Sequence, residues 1–216
     1  MLLDFFFPNR CLECNRIISG EEAICDACFH LIDFTHYEFN QNNPLKEKCS
    51  TLFPTENAYA LMNFSKSNLS RKILHQLKYG SREKIGKIVA NWMIDKVELK
   101  DVKLDLIATI PLHPKKQKQR GYNQLHLFAN TLSEHWKIPV DHQILKRNTF
   151  AKAQAQRKKD ERSKTLNQFS LTKEIKNQHI LIVDDVFTTG NTMSIAAWEF
   201  LQHEGNKISI LVMAID

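Results

Sequence analysis

The chain has 216 residues, 43% of them apolar and 25% charged, with a formal net charge of +6. That balance excludes a wholly disordered chain and leaves enough apolar residues for one α/β domain with its own core plus a small appendage. The positive excess is concentrated: residues 145–164 hold eight basic and two acidic side chains, a local net of +6, and Lys115, Lys116, Lys118 and Arg120 form a second basic group, so a polyanionic ligand, either pyrophosphate or nucleic acid, is expected.

The apolar run Leu2, Leu3, Phe5, Phe6, Phe7 is broken by Asp4, stopped by Pro8 and has no basic flank. It fits neither a signal peptide nor a membrane helix and is expected to dock inside the fold. No other run approaches a membrane span, and a cytoplasmic protein is expected. Next come Cys11-x2-Cys14 and Cys25-x2-Cys28, two pairs separated by ten residues. Two such knuckles match tetrahedral zinc held by four thiolates. Disulfides are the less expected use in a cytosolic chain, while an iron-sulfur cluster or a redox pair stays open. Four thiolates leave no open coordination position, so the metal is structural, in a module too small to bury a core unaided. Cys49 lies outside the pattern and reads as a buried, unreactive thiol.

The zinc module spans residues 1–34. A connector at 35–56, rich in Asn, Lys and Glu with Pro44 and Pro54, leads into a domain at 57–216. That domain opens with a strand at 58–64, then helical apolar spacing over 69–77 and 85–97, with Gly80 between. A buried strand at 104–110 ends at Pro111. Residues 111–124 join that strand to a helix starting near Leu125, the topology of a phosphate-binding turn. Arg120 offers a fork of donors, Gly121 allows close backbone approach, and Asn123 and Gln124 lie where anions gather at a helix start. His113, followed by Pro114, reads as a loop residue rather than a proton donor.

A short strand is expected at 140–145, followed by basic residues with few apolar anchors. This stretch reads as a loop that is mobile until an anion neutralises it, with Gln154, Lys158, Lys159 and Arg162 as its contacts. Strands at 168–171, 180–183 and 208–214 complete the pattern, with a helix from Thr192. Alternation of strand and helix argues a mainly parallel sheet with right-handed crossovers and a ligand at the strands' carboxyl ends.

The most informative stretch is residues 180–192, ILIVDDVFTTGNT. A buried strand runs into two carboxylates, then into a turn rich in Thr and Gly, then into a helix. Thr188, Thr189, Asn191 and Thr192 supply side-chain donors and Gly190 lets the backbone approach, so the helix start can hold a phosphate monoester. Asp184 and Asp185 can accept from vicinal sugar hydroxyls or hold a magnesium ion. An ordinary helix cap needs one hydroxyl or carboxylate, not two acids and five donor residues.

This stretch resembles the thirteen-residue ribose-5-phosphate loop of type I phosphoribosyltransferases. The resemblance implies that Asp184 and Asp185 bind the ribose 2- and 3-hydroxyls of phosphoribosyl pyrophosphate (PRPP) and that residues 188–192 cradle its 5-phosphate. It places a pyrophosphate loop at Arg120 and Gly121 and a loop that closes over PRPP at 147–164. Thr188 stands where hypoxanthine-guanine enzymes carry an Asp, which disfavours 6-oxopurine salvage.

With the cysteine pairs, Leu-Lys-Tyr-Gly at 77–80, Pro-Leu-His-Pro with Arg-Gly-Tyr-Asn-Gln within 111–124, and Asp-Asp-Val-Phe-Thr-Thr-Gly at 184–190, in that order, the chain is similar to the ComF family over nearly its whole length. Gln154 and Arg162, eight apart, match the family's loop spacing, whereas Thr165 stands where relatives usually have Asn. The resemblance implies a zinc finger joined to a type I phosphoribosyltransferase-like α/β domain, magnesium with PRPP, an association with natural competence and DNA uptake, and single-stranded DNA and a helicase as partners. Two functions follow. One is an enzyme, with Asp184, Asp185 and Arg120 as its catalytic residues, that transfers ribosyl phosphate to an unnamed acceptor. The other is a non-catalytic module that grips single-stranded DNA with the same anion-binding loops.

Overall fold

A computed structural model describes residues 8–20, 22–79, 83–148 and 168–216. The N-terminal apolar run, Gly80 and the contacts expected at Gln154, Lys158, Lys159 and Arg162 lie outside them.

Seven strands are described: β1 (Asn57–Asn63), β2 (Leu106–Thr109), β3 (Val140–Asp141), β4 (Leu145–Arg147), β5 (Phe169–Leu171), β6 (His179–Phe187) and β7 (Lys207–Ile215). Five form one parallel sheet in the order β1-β7-β6-β2-β3, and β4 pairs antiparallel with β5 in a separate ribbon. The central strands read as near-continuous apolar runs because both faces of a parallel sheet are covered. Ile180, Leu181, Ile182, Ile210, Leu211 and Val212 have no exposed surface.

The helices are α1 (Asp26–Phe29), α2 (Pro44–Ser50), α3 (Leu69–Tyr79), α4 (Lys84–Ile94), α5 (Pro114–Arg120), α6 (Gln124–Trp136) and α7 (Asn191–Leu201). From β2 the chain crosses through α6 to β3 on one side. From β6 it crosses through α7 to β7 on the other. With right-handed crossovers, α6 and α7 therefore cover opposite faces, and the strand order switches direction between β2 and β6. The crevice at the carboxyl ends of these two strands is where such a sheet binds ligands.

Three segments differ from the sequence expectation, each for a local reason. Residues 35–56 carry α2, whose cap Asn43 accepts from the Lys46 N–H at 3.0 Å and donates to the Ala58 carbonyl at 2.8 Å. Pro44 sits at the first helical position, where its missing N–H costs nothing, and Leu45, Cys49 and Phe53 are buried against β1. Residues 114–120 form a helix within the expected turn. His113 caps it, with Nδ1 accepting from the Lys115 N–H at 3.2 Å, Pro114 starts it, and Gly121 ends it at φ +77°. The stretch at 140–145 divides between two sheets, because Val140 pairs with Ile107 while Leu145 pairs with Leu171.

The cysteine module is joined to the sheet by backbone and by rings. The Thr35 N–H donates to the Leu61 carbonyl at 3.1 Å and Asn63 N–H to Asp33 at 2.8 Å. Phe29 and Phe34 meet Trp92 edge-on at centroid distances of 5.3 and 6.4 Å. Lys72 of α3 pairs with Glu13, inside the first knuckle, at 2.8 Å.

Candidate functional site

Strand β6 does not stop before the two acids but runs through them, with Asp184 opposite Val212 and Phe187 opposite Ile215. Because side chains alternate along a strand, the adjacent carboxylates face opposite sides. Asp184 opens into the concavity formed by Val186, Phe187 and residues 188–193. Asp185 turns toward α3 and α6, where Oδ1 pairs with Lys78 Nζ at 2.9 Å and Oδ2 accepts from Gln124 Nε2 at 2.5 Å.

The turn itself is built for an anion. Thr188 and Thr189 are exposed, Gly190 takes φ +75° and α7 starts at Asn191 with no side-chain cap. The N–H groups of residues 188–192 donate to no acceptor among the described residues. Unsatisfied donors at the positive end of an eleven-residue helix favour an anion there. Gly190 has a steric reason as well as a conformational one, since a Cβ there would lie 2.5 Å from Leu52 Cδ1 and 2.6 Å from Phe187 Cζ. Gly190→Ala is therefore expected to destabilise the protein by about 2–4 kcal/mol, the left-handed backbone cost plus overpacking. A melting temperature within about 2 °C of wild type would contradict that packing.

Electrostatics single out Asp184. Burial, and then the neighbouring Asp185 charge, push its carboxyl up to about 7, against the pull of the Asp185 N–H, Lys78 and Arg147. A carboxylate raised this far at the mouth of a sheet is poor for stability and useful for accepting hydrogen bonds from a ligand. Arg147, counted by sequence with the basic loop, is the last residue of β4. Its guanidinium lies 4.8 Å over the Phe169 ring and Nε donates to the Pro111 carbonyl at 3.3 Å.

Arg120 joins the site through Gln124. Arg120 donates to Gln124 Oε1 at 2.7 Å, and Gln124 in turn holds Asp185. The same guanidinium stacks on Tyr79 at 5.0 Å. The structure thus links Arg120 to Asp185, while Gly121 lies in a neighbouring hollow with Tyr122 and Asn123. Sequence reading missed the last turn of α3. Lys78 grips Asp185, Tyr79 carries Arg120, and the Leu77 carbonyl accepts from the Tyr122 hydroxyl. The signal was present in Leu-Lys-Tyr-Gly, but without partners a basic residue at a helix end reads as solvated.

The second centre is the cysteine cluster. The sulfurs of Cys11, Cys14, Cys25 and Cys28 all lie within 4.8 Å of one another, and none is in a disulfide. Four sulfurs tetrahedral about zinc at about 2.3 Å are spaced about 3.8 Å apart, so the cluster fits that ion; Cys14 and Cys25 are 3.6 Å apart. Burial raises the Cys11 thiol, yet backbone hydrogen bonds at Cys14, Cys25 and Glu13 outweigh it and bring it down to about 6. Cys11 is thereby readied to bind as thiolate. Cys49 is buried apart from the cluster, and burial pushes its thiol up to about 12, in keeping with an unreactive group.

Comparison with known proteins finds two domain families in the chain. Residues 126–216 match the phosphoribosyl transferase domain and residues 2–58 the double zinc ribbon domain. Competence protein F of Haemophilus influenzae is 26% identical over 210 residues, 88% of this chain and 89% of that one. DNA utilization protein YhgH of Escherichia coli K12 is 27% identical over 144 residues, 64% of this chain and 63% of that one. Competence protein ComFC of Bacillus subtilis is 30% identical over 106 residues, 49% of this chain and 41% of that one. The chain spans less than two thirds of the length of the latter two. No helix among the described residues is long and apolar enough to cross a membrane.

Proposed function

We propose, for a chain that belongs to the ComF family, with a structural zinc ribbon joined to a phosphoribosyltransferase domain, that the crevice between β2 and β6 binds magnesium-complexed PRPP. The observation that carries this reading is the placement of the raised Asp184 carboxyl in one concavity with a helix-start turn whose N–H groups have no acceptor among the described residues. Residues 188–192 hold the 5-phosphate, Asp184 and Asp185 accept from the ribose 2- and 3-hydroxyls, and Arg120 with the Gly121 backbone takes the pyrophosphate. Magnesium arrives with PRPP as part of the substrate and neutralises some of its charge.

Transfer then breaks the bond from ribose C1 to the pyrophosphate oxygen and forms one from C1 to an acceptor nucleophile. Pyrophosphate leaves with the electron pair and the acceptor gives up its proton. Fixing sugar and phosphate on a rigid strand and helix lowers the barrier by orientation, and donors near Arg120 stabilise the departing charge. Gln154, Lys158, Lys159 and Arg162, which lie outside the described residues, are the contacts proposed to cover PRPP and exclude water. The zinc module at 1–34 serves as a rigid platform beside the site, and the protein works in the cytoplasm with the DNA-uptake machinery, in contact with a helicase.

One observation favours a second reading: the local net charge of +6 in residues 145–164 suits a single-stranded phosphate backbone, and the relatives' names include competence and DNA utilization. Melting the metal-loaded protein with each ligand separates the two. Magnesium-PRPP at a hundredfold excess over its dissociation constant is expected to add about 2.7 kcal/mol, several degrees, and to weaken binding of a single-stranded oligonucleotide at the shared loop. Stabilisation by the oligonucleotide with no response to PRPP would leave the DNA-binding reading in its place.

A further inference from the structure

The PRPP reading assigns the pyrophosphate to Arg120 and Gly121, yet Arg120 is already engaged, by Gln124 at 2.7 Å and by the Tyr79 ring at 5.0 Å. A pyrophosphate is a dense anion and one stacked guanidinium is thin provision for it. The geometry points to Lys78 as a second pyrophosphate-binding residue of this site, an assignment that rests on the PRPP reading.

Three observations support it. Lys78 lies in the last turn of α3 on the Gln124 and Arg120 side of β6, across from the turn that cradles the 5-phosphate, so it sits on the half of the site left for pyrophosphate. Its side chain is 22% exposed and its Nζ is 2.9 Å from Asp185 Oδ1, close to the crevice mouth but shielded, where a charge acts strongly. The residues on either side of it contact the same half: Tyr79 carries Arg120 and the Leu77 carbonyl receives the Tyr122 hydroxyl, which fixes the helix end and aims the lysine.

In the free protein Lys78 and Gln124 occupy both oxygens of Asp185. When the sugar enters, its hydroxyls take over Asp185 and the ammonium turns to the pyrophosphate. One charge-assisted pair is exchanged for another, so the exchange costs little while the ligand gains a cation. Lys78 thus couples the two halves of the ligand, because pyrophosphate draws the lysine away and frees the carboxylate that the sugar needs.

The test compares inorganic pyrophosphate and ribose 5-phosphate, each with magnesium, by calorimetry on wild type, Lys78→Gln and Lys78→Arg, with circular dichroism and zinc content as folding checks. Lys78→Gln is expected to weaken pyrophosphate at least tenfold and to change ribose 5-phosphate less than threefold, with Lys78→Arg restoring most of the loss. Acetylation of Lys78 in the wild-type protein, read by mass spectrometry, supplies a measure independent of folding: pyrophosphate is expected to protect it and ribose 5-phosphate is not. Equal loss of both ligands in Lys78→Gln, or no protection by pyrophosphate, would reduce Lys78 to a support for Asp185 and overturn the assignment. Unchanged binding of both would overturn it while leaving the PRPP site intact. Binding of neither ligand, nor of PRPP, to wild type would instead overturn the PRPP reading itself.

Discussion

Replacing Asp184 and Asp185 together by Asn is expected to abolish PRPP binding and to leave the zinc ribbon and the sheet folded. Each carboxylate is expected to accept from a ribose hydroxyl, and hydrogen bonds to a charged group contribute about 1.5–3 kcal/mol apiece. Two of them correspond to a loss of about 10²- to 10⁴-fold in affinity. A merely structural acid pair would behave differently, and the stability of Asp184→Asn alone shows why. In the free protein, burial and the Asp185 charge raise the Asp184 carboxyl to about 7, above the unfolded value near 3.9. The folded state therefore holds that proton more tightly than the unfolded chain. The resulting stability is fully present below about pH 4 and is lost as pH rises through about 7. Asparagine cannot ionise and escapes this loss, so Asp184→Asn is expected to melt about 2–6 °C above wild type at pH 8, with the difference gone near pH 4. Lower stability of Asp184→Asn at pH 8 would show that the carboxylate is held by the fold and not kept for a ligand. The same ionisation is expected to make PRPP affinity rise with pH up to about 7, because the carboxylate accepts a hydroxyl hydrogen bond more strongly than the neutral carboxyl does.

Cys25→Ser is expected to release the zinc and to remove the ribbon as an ordered element. Cys25 precedes α1 and lies 3.6 Å from Cys14, so its loss opens the tetrahedron at the junction of the two knuckles. Structural zinc binding in finger peptides is worth about 10–16 kcal/mol at neutral pH, far more than a module of this size gains from burial. The damage is expected to reach beyond the ribbon, since Phe29 and Phe34 pack on Trp92 and Glu13 pairs with Lys72. Zinc content is expected to fall from one per chain to near zero, and the melting temperature by 10 °C or more, with most of the α/β circular dichroism retained. Unchanged zinc content in Cys25→Ser would refute the four-thiolate site.

Much of this architecture is legible in the sequence because its signals are local. The apolar run that opens β6 is unbroken and that of β7 is interrupted only by Ser209, the cysteine pairs have metal-site spacing, and the order of acids, threonines and glycine at 184–192 states a strand, a turn and a helix start. What escaped depends on partners far apart in the chain. Nothing near Lys78 says that it meets Asp185, or near Gln124 that it bridges Arg120 to the same carboxylate. Adjacent acids suggest a matched pair, and only the extension of β6 through them shows that they face opposite sides. The helices α2 and α5 carried readable signals, an Asn or His cap followed by proline. They were outweighed by the polar composition of a connector and by the expectation of a phosphate turn.

The most direct test of the PRPP site is calorimetric titration of the zinc-loaded protein with PRPP, with and without magnesium, beside the Asp184→Asn, Asp185→Asn double variant. Saturable binding at one site per chain that needs magnesium and vanishes in the variant is the result expected. PRPP binding that is absent in wild type, or unchanged in the variant, would contradict the assignment of the β2 and β6 crevice to this ligand.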